Sequence, residues 1–223
     1  MGMAVMVLGE SGSGKTASLR NFKAGEVFVF NVAGKPMPFK CDWAKTFVQQ
    51  NSTYESIQSA LAKAAANKDN KCKTFVIDDS QYLMVFESFS KAKIVGYGKF
   101  TDIAVNFESL IRFIIKELPD DFTVYFLHHT QTDDNTGFQH AKTIGKMLDS
   151  QLTVEGLFPV VLMTNVTQGR HTFITNNTDD MSTVKSPIGM FADLEIDNDL
   201  KLVDETIRNY YKEGEEGNKN EKD

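Results

Sequence analysis

A chain of 223 residues, 41% of them hydrophobic, is long enough to bury the core of one domain. Its apolar runs fall well short of the roughly 18 to 20 residues that a membrane span needs, and no basic start leads into an apolar signal core, so a cytoplasmic protein without a membrane partner is expected. The formal charge of -6 excludes a surface that is basic all over, and Cys41 and Cys72, far apart and outside any CxxC pair, exclude a disulfide framework or a zinc site.

In chain order, residues 4–8 read as a buried strand and 15–22 as the start of the helix after it. Val27, Phe28, Val29 and Phe30 form a second strand, followed by a connection rich in Gly, Pro and Lys at 33–40. Residues 53–66, TYESIQSALAKAAA, join strong helix formers to apolar positions at Ile57, Leu61 and Ala64 or Ala65. Residues 74–77 are a third buried strand ending in Asp78 and Asp79. Ile103, Phe107, Leu110, Ile111 and Ile114 give 100–118 the spacing of an amphipathic helix, which Pro119 stops. Residues 122–127 are a fourth strand ending in His128 and His129, and TQTDDNTGFQ after it reads as a mobile polar loop. Residues 158–164 form a fifth strand, with 170–175 paired to it across a Gln168-Gly169 turn. Alternating strands and helices predict a mainly parallel sheet covered on both faces, with ligands at the carboxyl ends of its strands. Residues 212–223 contain no apolar side chain and are expected to be a disordered acidic tail, leaving one domain over 1–211.

The chemistry concentrates after the first strand. Gly9, Glu10, Ser11, Gly12, Ser13, Gly14, Lys15 and Thr16 match the P-loop pattern GxxxxGK[ST], and Ala17 continues into the expected helix. The glycines let successive backbone N–H groups face phosphate oxygens, Lys15 reaches the β- and γ-phosphates, and the Thr16 hydroxyl ligates Mg²⁺. Such a loop needs a second metal-holding carboxylate at the end of a neighbouring strand, and FVIDD supplies Asp78. Asp79 is either a supporting carboxylate and candidate base or a helix N-cap. Glu87 reads as a solvated helix residue. His128 either senses the γ-phosphate or positions water, or is a structural histidine bonded to a loop carbonyl.

The succession GESGSGKT, TFVIDD, VYFLHHT and AKTIGKMLDSQLTVEGLFPVVLMTN resembles small phage nucleotide-binding proteins of the RecA-like class, including Sak-type single-domain recombinases, over nearly the whole chain to about residue 200. The resemblance implies an α/β fold: a RecA-like P-loop NTPase core, its mainly parallel sheet flanked by helices, with a C-terminal β-hairpin. It also implies ATP and Mg²⁺ as cofactors, a homo-oligomeric ring or filament, and a single-stranded-DNA-dependent ATPase that assists annealing, recombination or replication in the host cytoplasm. The segment after the histidine strand would face DNA through Gln131, Phe138, His140, Lys142 and Lys146, an aromatic beside lysines, although Asp133 and Asp134 oppose phosphate and a plain flexible loop is the alternative. Lys185, or else Arg170, would reach a neighbouring subunit's site as its basic residue. The second strand ends in Asn31, where RecA proteins proper carry a catalytic glutamate, which implies slow turnover. A second reading is therefore a nucleotide-gated switch or loader that recruits a helicase or single-strand-binding protein. A small-molecule kinase fits least, since it needs an arginine-rich lid and the chain holds only four arginines.

Overall fold

Alternation of Ala4, Met6 and Leu8 with Val5 and Val7 sends side chains of β1 (Met3–Gly9) into two separate apolar layers. The computed structural model describes residues 1–145, 148, 152–178 and 180–220. After β1 come β2 (Val27–Asn31), α1 (Ala44–Phe47), β3 (Val48–Gln50), α2 (Tyr54–Ala66), β4 (Thr74–Asp78), α3 (Gln81–Ser90) and α4 (Gly98–Glu117). They are followed by β5 (Thr123–Thr132), β6 (Gln139–Ala141), β7 (Val160–Thr167), β8 (Arg170–Ile174), β9 (Glu195–Asp197) and α5 (Leu200–Asn220).

The fold is α/β, with a mostly parallel mixed sheet flanked by helices. Its strand order is β3-β2-β4-β5-β1-β7-β8-β9, parallel as far as β7 and antiparallel beyond it, with β6 paired to β5. One face carries α2, α3 and α4, whose Ile57, Leu61, Leu83, Ile103, Phe107 and Ile114 pack with Met6, Phe30, Ile77 and Phe126. The other carries α5, whose Leu200, Val203 and Ile207 pack with Val5, Val7, Val76 and Leu162. β5 lies between β1 and β4, so the side chains at its carboxyl end fall between the ends of those two strands.

The helix at 53–66 forms as its spacing predicts, and Thr53 caps it by accepting from the Ser56 N–H. The hairpin forms across Gln168 and Gly169, both left-handed at φ 52° and 80°.

Three expectations change. The segment after the glycine-rich loop is a 3-10 helix of six residues, Thr16–Asn21, rather than the opening of a longer helix. The Ser18 hydroxyl bonds back to Lys15 O at 2.6 Å, a local bond that competes with helix propagation. The expected mobile loop at 130–139 is instead largely a β-hairpin, in which Thr130, Gln131 and Thr132 of β5 pair with Ala141, His140 and Gln139 of β6. Its turn closes because Asp133 Oδ1 accepts from the backbone N–H groups of Asn135 and Thr136 and Gly137 takes φ 74°. Finally, α5 continues through the start of the expected tail to Asn220, extension of an existing helix requiring no new nucleus.

Candidate functional site

β1 delivers the loop 9–16 to the carboxyl edge of the sheet, where neighbouring strands brace it. A Cβ on Gly9 would lie 1.8 Å from Oγ1 of Thr164, so only glycine lets β7 approach so closely. Thr164 Oγ1 donates to Ser13 Oγ at 2.7 Å, and Nδ1 of His171 on β8 donates to Ser13 O at 2.9 Å. Gly12 and Gly14 take φ 77° and 100°, conformations that bend the loop and disfavour side chains. Lys15 is buried, and its ammonium donates to Gly9 O at 2.7 Å and Glu10 O at 2.9 Å. Burial lowers its pKa to about 8, against the opposing pull of Asp79, Asp78 and Glu10.

Two carboxylates face this loop from the end of β4. Thr16 Oγ1 donates to Asp78 Oδ1 at 2.8 Å. Burial, reinforced by the neighbouring Asp79 charge, raises the Asp78 pKa to about 6 despite the Thr16 hydrogen bond. Asp79 has a left-handed backbone at φ 58°, which a short polar side chain tolerates. Its Oδ2 accepts from Lys35 Nζ at 2.8 Å and its Oδ1 from His129 Nε2 at 3.2 Å. Burial alone would raise its pKa, but the bonds from His129 and Lys35 hold it down at about 2.

Lys35 is placed by Asn31, a buried residue at the end of β2. Asn31 Nδ2 donates to Lys35 O at 2.5 Å, and its Oδ1 accepts from Gly34 N at 2.8 Å. The Lys35 ammonium also lies 5.2 Å over the Tyr82 ring, whose neighbour on another side is His129.

Together these groups enclose a cleft of about 270 Å³. Of the residues singled out from the sequence, Ser11, Gly12, Gly14, Lys15, Thr16 and Ala17 line it from one side and Asp78 and Asp79 from another. Gly9 and Ser13 support the loop from behind. Glu10 turns away, its Oε1 accepting from Thr130 Oγ1 at 2.8 Å.

His128 does not reach the cleft: its geometry is not that of the expected sensor but of the alternative, a structural histidine bonded to a loop carbonyl. Adjacent strand residues point to opposite faces, and His128 falls on the side of Phe107, fully buried, with Nδ1 2.9 Å from Ser80 Oγ and Nε2 donating to Lys142 O at 2.8 Å. Burial lowers its pKa to about 4, so it is a neutral core histidine. His129 lines the cleft in its place. Asp79 makes no side-chain cap to α3, whose flanking residue is Ser80.

Lys185 pairs through its backbone with Val161, near the amino end of β7, and is not a lining residue. Arg170 is exposed and bonded to Asp197 at 3.0 Å. Gln131 and Lys142 are exposed at the β5–β6 hairpin, while Phe138 and His140 are half-buried and stacked on each other with ring centroids 6.3 Å apart. Lys146 lies outside the described residues. Sequence reasoning missed Lys35, His129, Thr164 and His171. A lysine immediately beyond β2 at the ligand-binding edge was a usable signal for the first, whereas the others depend on strand facing and neighbours.

The donor set fits a Mg²⁺-bound polyphosphate. Thr16 and Asp78 offer hard oxygen atoms side by side, which suits a cation that takes one or two protein oxygens and leaves its other positions to phosphate and water. Among the described residues no group of three His, Cys, Asp or Glu side chains forms a self-sufficient metal site. No protein-family model and no curated protein matches the chain.

Proposed function

We propose that the cleft binds ATP with Mg²⁺ and that the chain is a RecA-like phage ATPase, slow in turnover and responsive to single-stranded DNA. The observation carrying this reading is the convergence of Lys15, the Thr16–Asp78 pair and the Lys35–Asp79–His129 chain on one cleft, from four separate segments. In this reading Lys15 and the loop N–H groups hold phosphate oxygens, and Thr16 and Asp78 hold the metal. Lys35 supplies a second cation from the opposite wall, within the same chain, where charge builds on the transferred phosphoryl group. When bound, Mg²⁺ neutralises phosphate charge.

His129, between the loop and Asp78, is the candidate for positioning water. Asp79 orients it and holds Lys35; with a pKa near 2 it is a weak base. Asn31, with its amide committed to the 31–35 turn, cannot serve as one either. Both features support slow turnover. The β5–β6 hairpin supports a link to DNA, because Lys142 N donates to His129 O at 2.8 Å and ties the end of the hairpin to the residue in the cleft.

ATP turnover measured with and without an oligothymidine strand tests this function. Stimulation, abolished by Lys15→Ala, is expected. No stimulation together with no retention of the strand at low salt would sink the DNA-linked reading. Stable ATP binding without turnover, with nucleotide-dependent capture of a helicase or single-strand-binding protein, would favour the switch reading, which the weak basicity of Asp79 also supports.

A further inference from the structure

A second cavity, of about 390 Å³, opens between the start of α2 and the adjoining faces of α3 and α4. Leu83, Val32 and the rings of Tyr54 and Phe86 give it apolar walls, and Phe86 keeps 48% of its surface exposed at the mouth. Tyr54 and Glu87 both line it, and Tyr54 Oη and Glu87 Oε2 are buried without a hydrogen-bond partner among the described residues. A buried oxygen without a partner is costly, and the two side chains that carry these oxygens line the same cavity.

Glu87, expected from the sequence at the solvated surface, has a side chain only 12% exposed. Its Oε1 is held by Lys91 Nζ at 2.8 Å and Asn106 Nδ2 at 2.7 Å, which fixes the carboxylate and leaves Oε2 as an oriented acceptor. Glu55 adds a second acidic group, and no lysine or arginine lines the cavity. Burial, followed by the nearby Glu87 charge, raises the Tyr54 phenol pKa, so its hydroxyl stays protonated.

We infer that this cavity binds a small organic cation with a planar, N–H-rich head, an amidinium or guanidinium, on an apolar body. The head donates to Glu87 Oε2 and Tyr54 Oη, and the body lies against Phe86 and Leu83. A planar delocalised cation suits the site better than an ammonium because it is less strongly hydrated and stacks on aromatic rings. The inference does not depend on what the first cleft binds.

Benzamidine and its neutral isostere benzamide test the inference by NMR titration and calorimetry on the full chain. Benzamidine is expected to bind saturably and shift resonances of Tyr54, Phe86 and Asn106, with benzamide about tenfold weaker or worse, since hydrogen bonds to a charged group are lost. Glu87→Gln should weaken benzamidine by a similar factor, and Tyr54→Phe by a smaller one, with both variants retaining the wild-type spectrum elsewhere. Equal affinity for the two probes, no saturable binding of either, shifts confined to Asp78, Asp79 and His129, or an unchanged affinity in folded Glu87→Gln would each overturn it.

Discussion

Lys35 Nζ lies 2.8 Å from Oδ2 of Asp79, bridging the cleft from the turn after β2 to the end of β4. The lysine is more than half exposed and the aspartate nearly buried, so the cation can move while the carboxylate stays in place. In the proposed function Lys35 acts on the reacting phosphoryl group more than on ground-state binding. Lys35→Ala should therefore lower turnover by roughly ten- to hundredfold, the worth of a hydrogen bond to a charged group, with a smaller change in nucleotide affinity. Single-turnover kinetics beside equilibrium titration separates the two, and an affinity loss with unchanged turnover would assign Lys35 to binding alone.

Asp78 is held against its ordinary ionisation. Its folded pKa of about 6 lies above the unfolded value of 3.8, so between those values the native state holds a proton that the unfolded chain has lost. Stability contributed by this group therefore falls as pH rises from about 4 to 6 and stays low above that. Asp78→Asn should raise the unfolding free energy by about 2–3 kcal/mol at pH 7 in metal-free buffer, with the gain vanishing below about pH 4. Urea denaturation across pH checks this. The same variant should lose Mg²⁺-dependent nucleotide binding, trading function for stability.

His128 carries the opposite sign. Its folded pKa of about 4 lies below the ordinary 6.5, so the unfolded chain takes up a proton first and stability is lost as pH falls from about 6.5 to 4. His128→Gln should remove up to about 3 kcal/mol of that acid sensitivity, whatever it costs at neutral pH. His129→Ala should instead impair turnover, since His129 lines the cleft. Turnover lost only in the His128 variant would reverse the two roles.

Asp204 fastens α5 to the opposite edge of the sheet from the cleft. It accepts from Tyr125 Oη at 2.9 Å, Thr74 Oγ1 at 2.8 Å and Arg208 Nε at 2.8 Å, and is itself buried. Asp204→Ala leaves the Tyr125 and Thr74 hydroxyls without their acceptor, while Arg208 keeps the carbonyls of Asp121 and Lys73, and should cost about 2–5 kcal/mol, measured by chemical denaturation. A loss under about 1 kcal/mol would mean that water replaces the carboxylate at little cost.

What could be read in advance follows from how local each signal is. The helical spacing of Ile103 through Ile114 and the Gln168-Gly169 turn are encoded within a few residues, and both elements form as expected. The meeting of the glycine-rich loop and Asp78 in one cleft was legible because both stand directly at the ends of strands that their apolar runs mark. Choosing between His128 and His129 required the facing of β5, because a one-residue shift exchanges the two sides of a strand. Thr164 and His171 reach the site only through strand neighbours distant in sequence, whereas Lys35 is placed locally by Asn31 at the end of β2. The 3-10 helix turns on one serine bonding back to the chain, a competition that propensity does not reveal.

The most direct measurement is a fluorescence titration with an ATP analogue, N-methylanthraniloyl-ATP, in Mg²⁺ and in excess chelator, on the wild type and on Lys15→Ala. Saturable, Mg²⁺-dependent binding to the wild type is expected, with an affinity roughly ten- to hundredfold lower in the variant, the range for a lost hydrogen bond to a charged group. Equal affinity in the two folded proteins, or no binding by the wild type, would contradict this expectation.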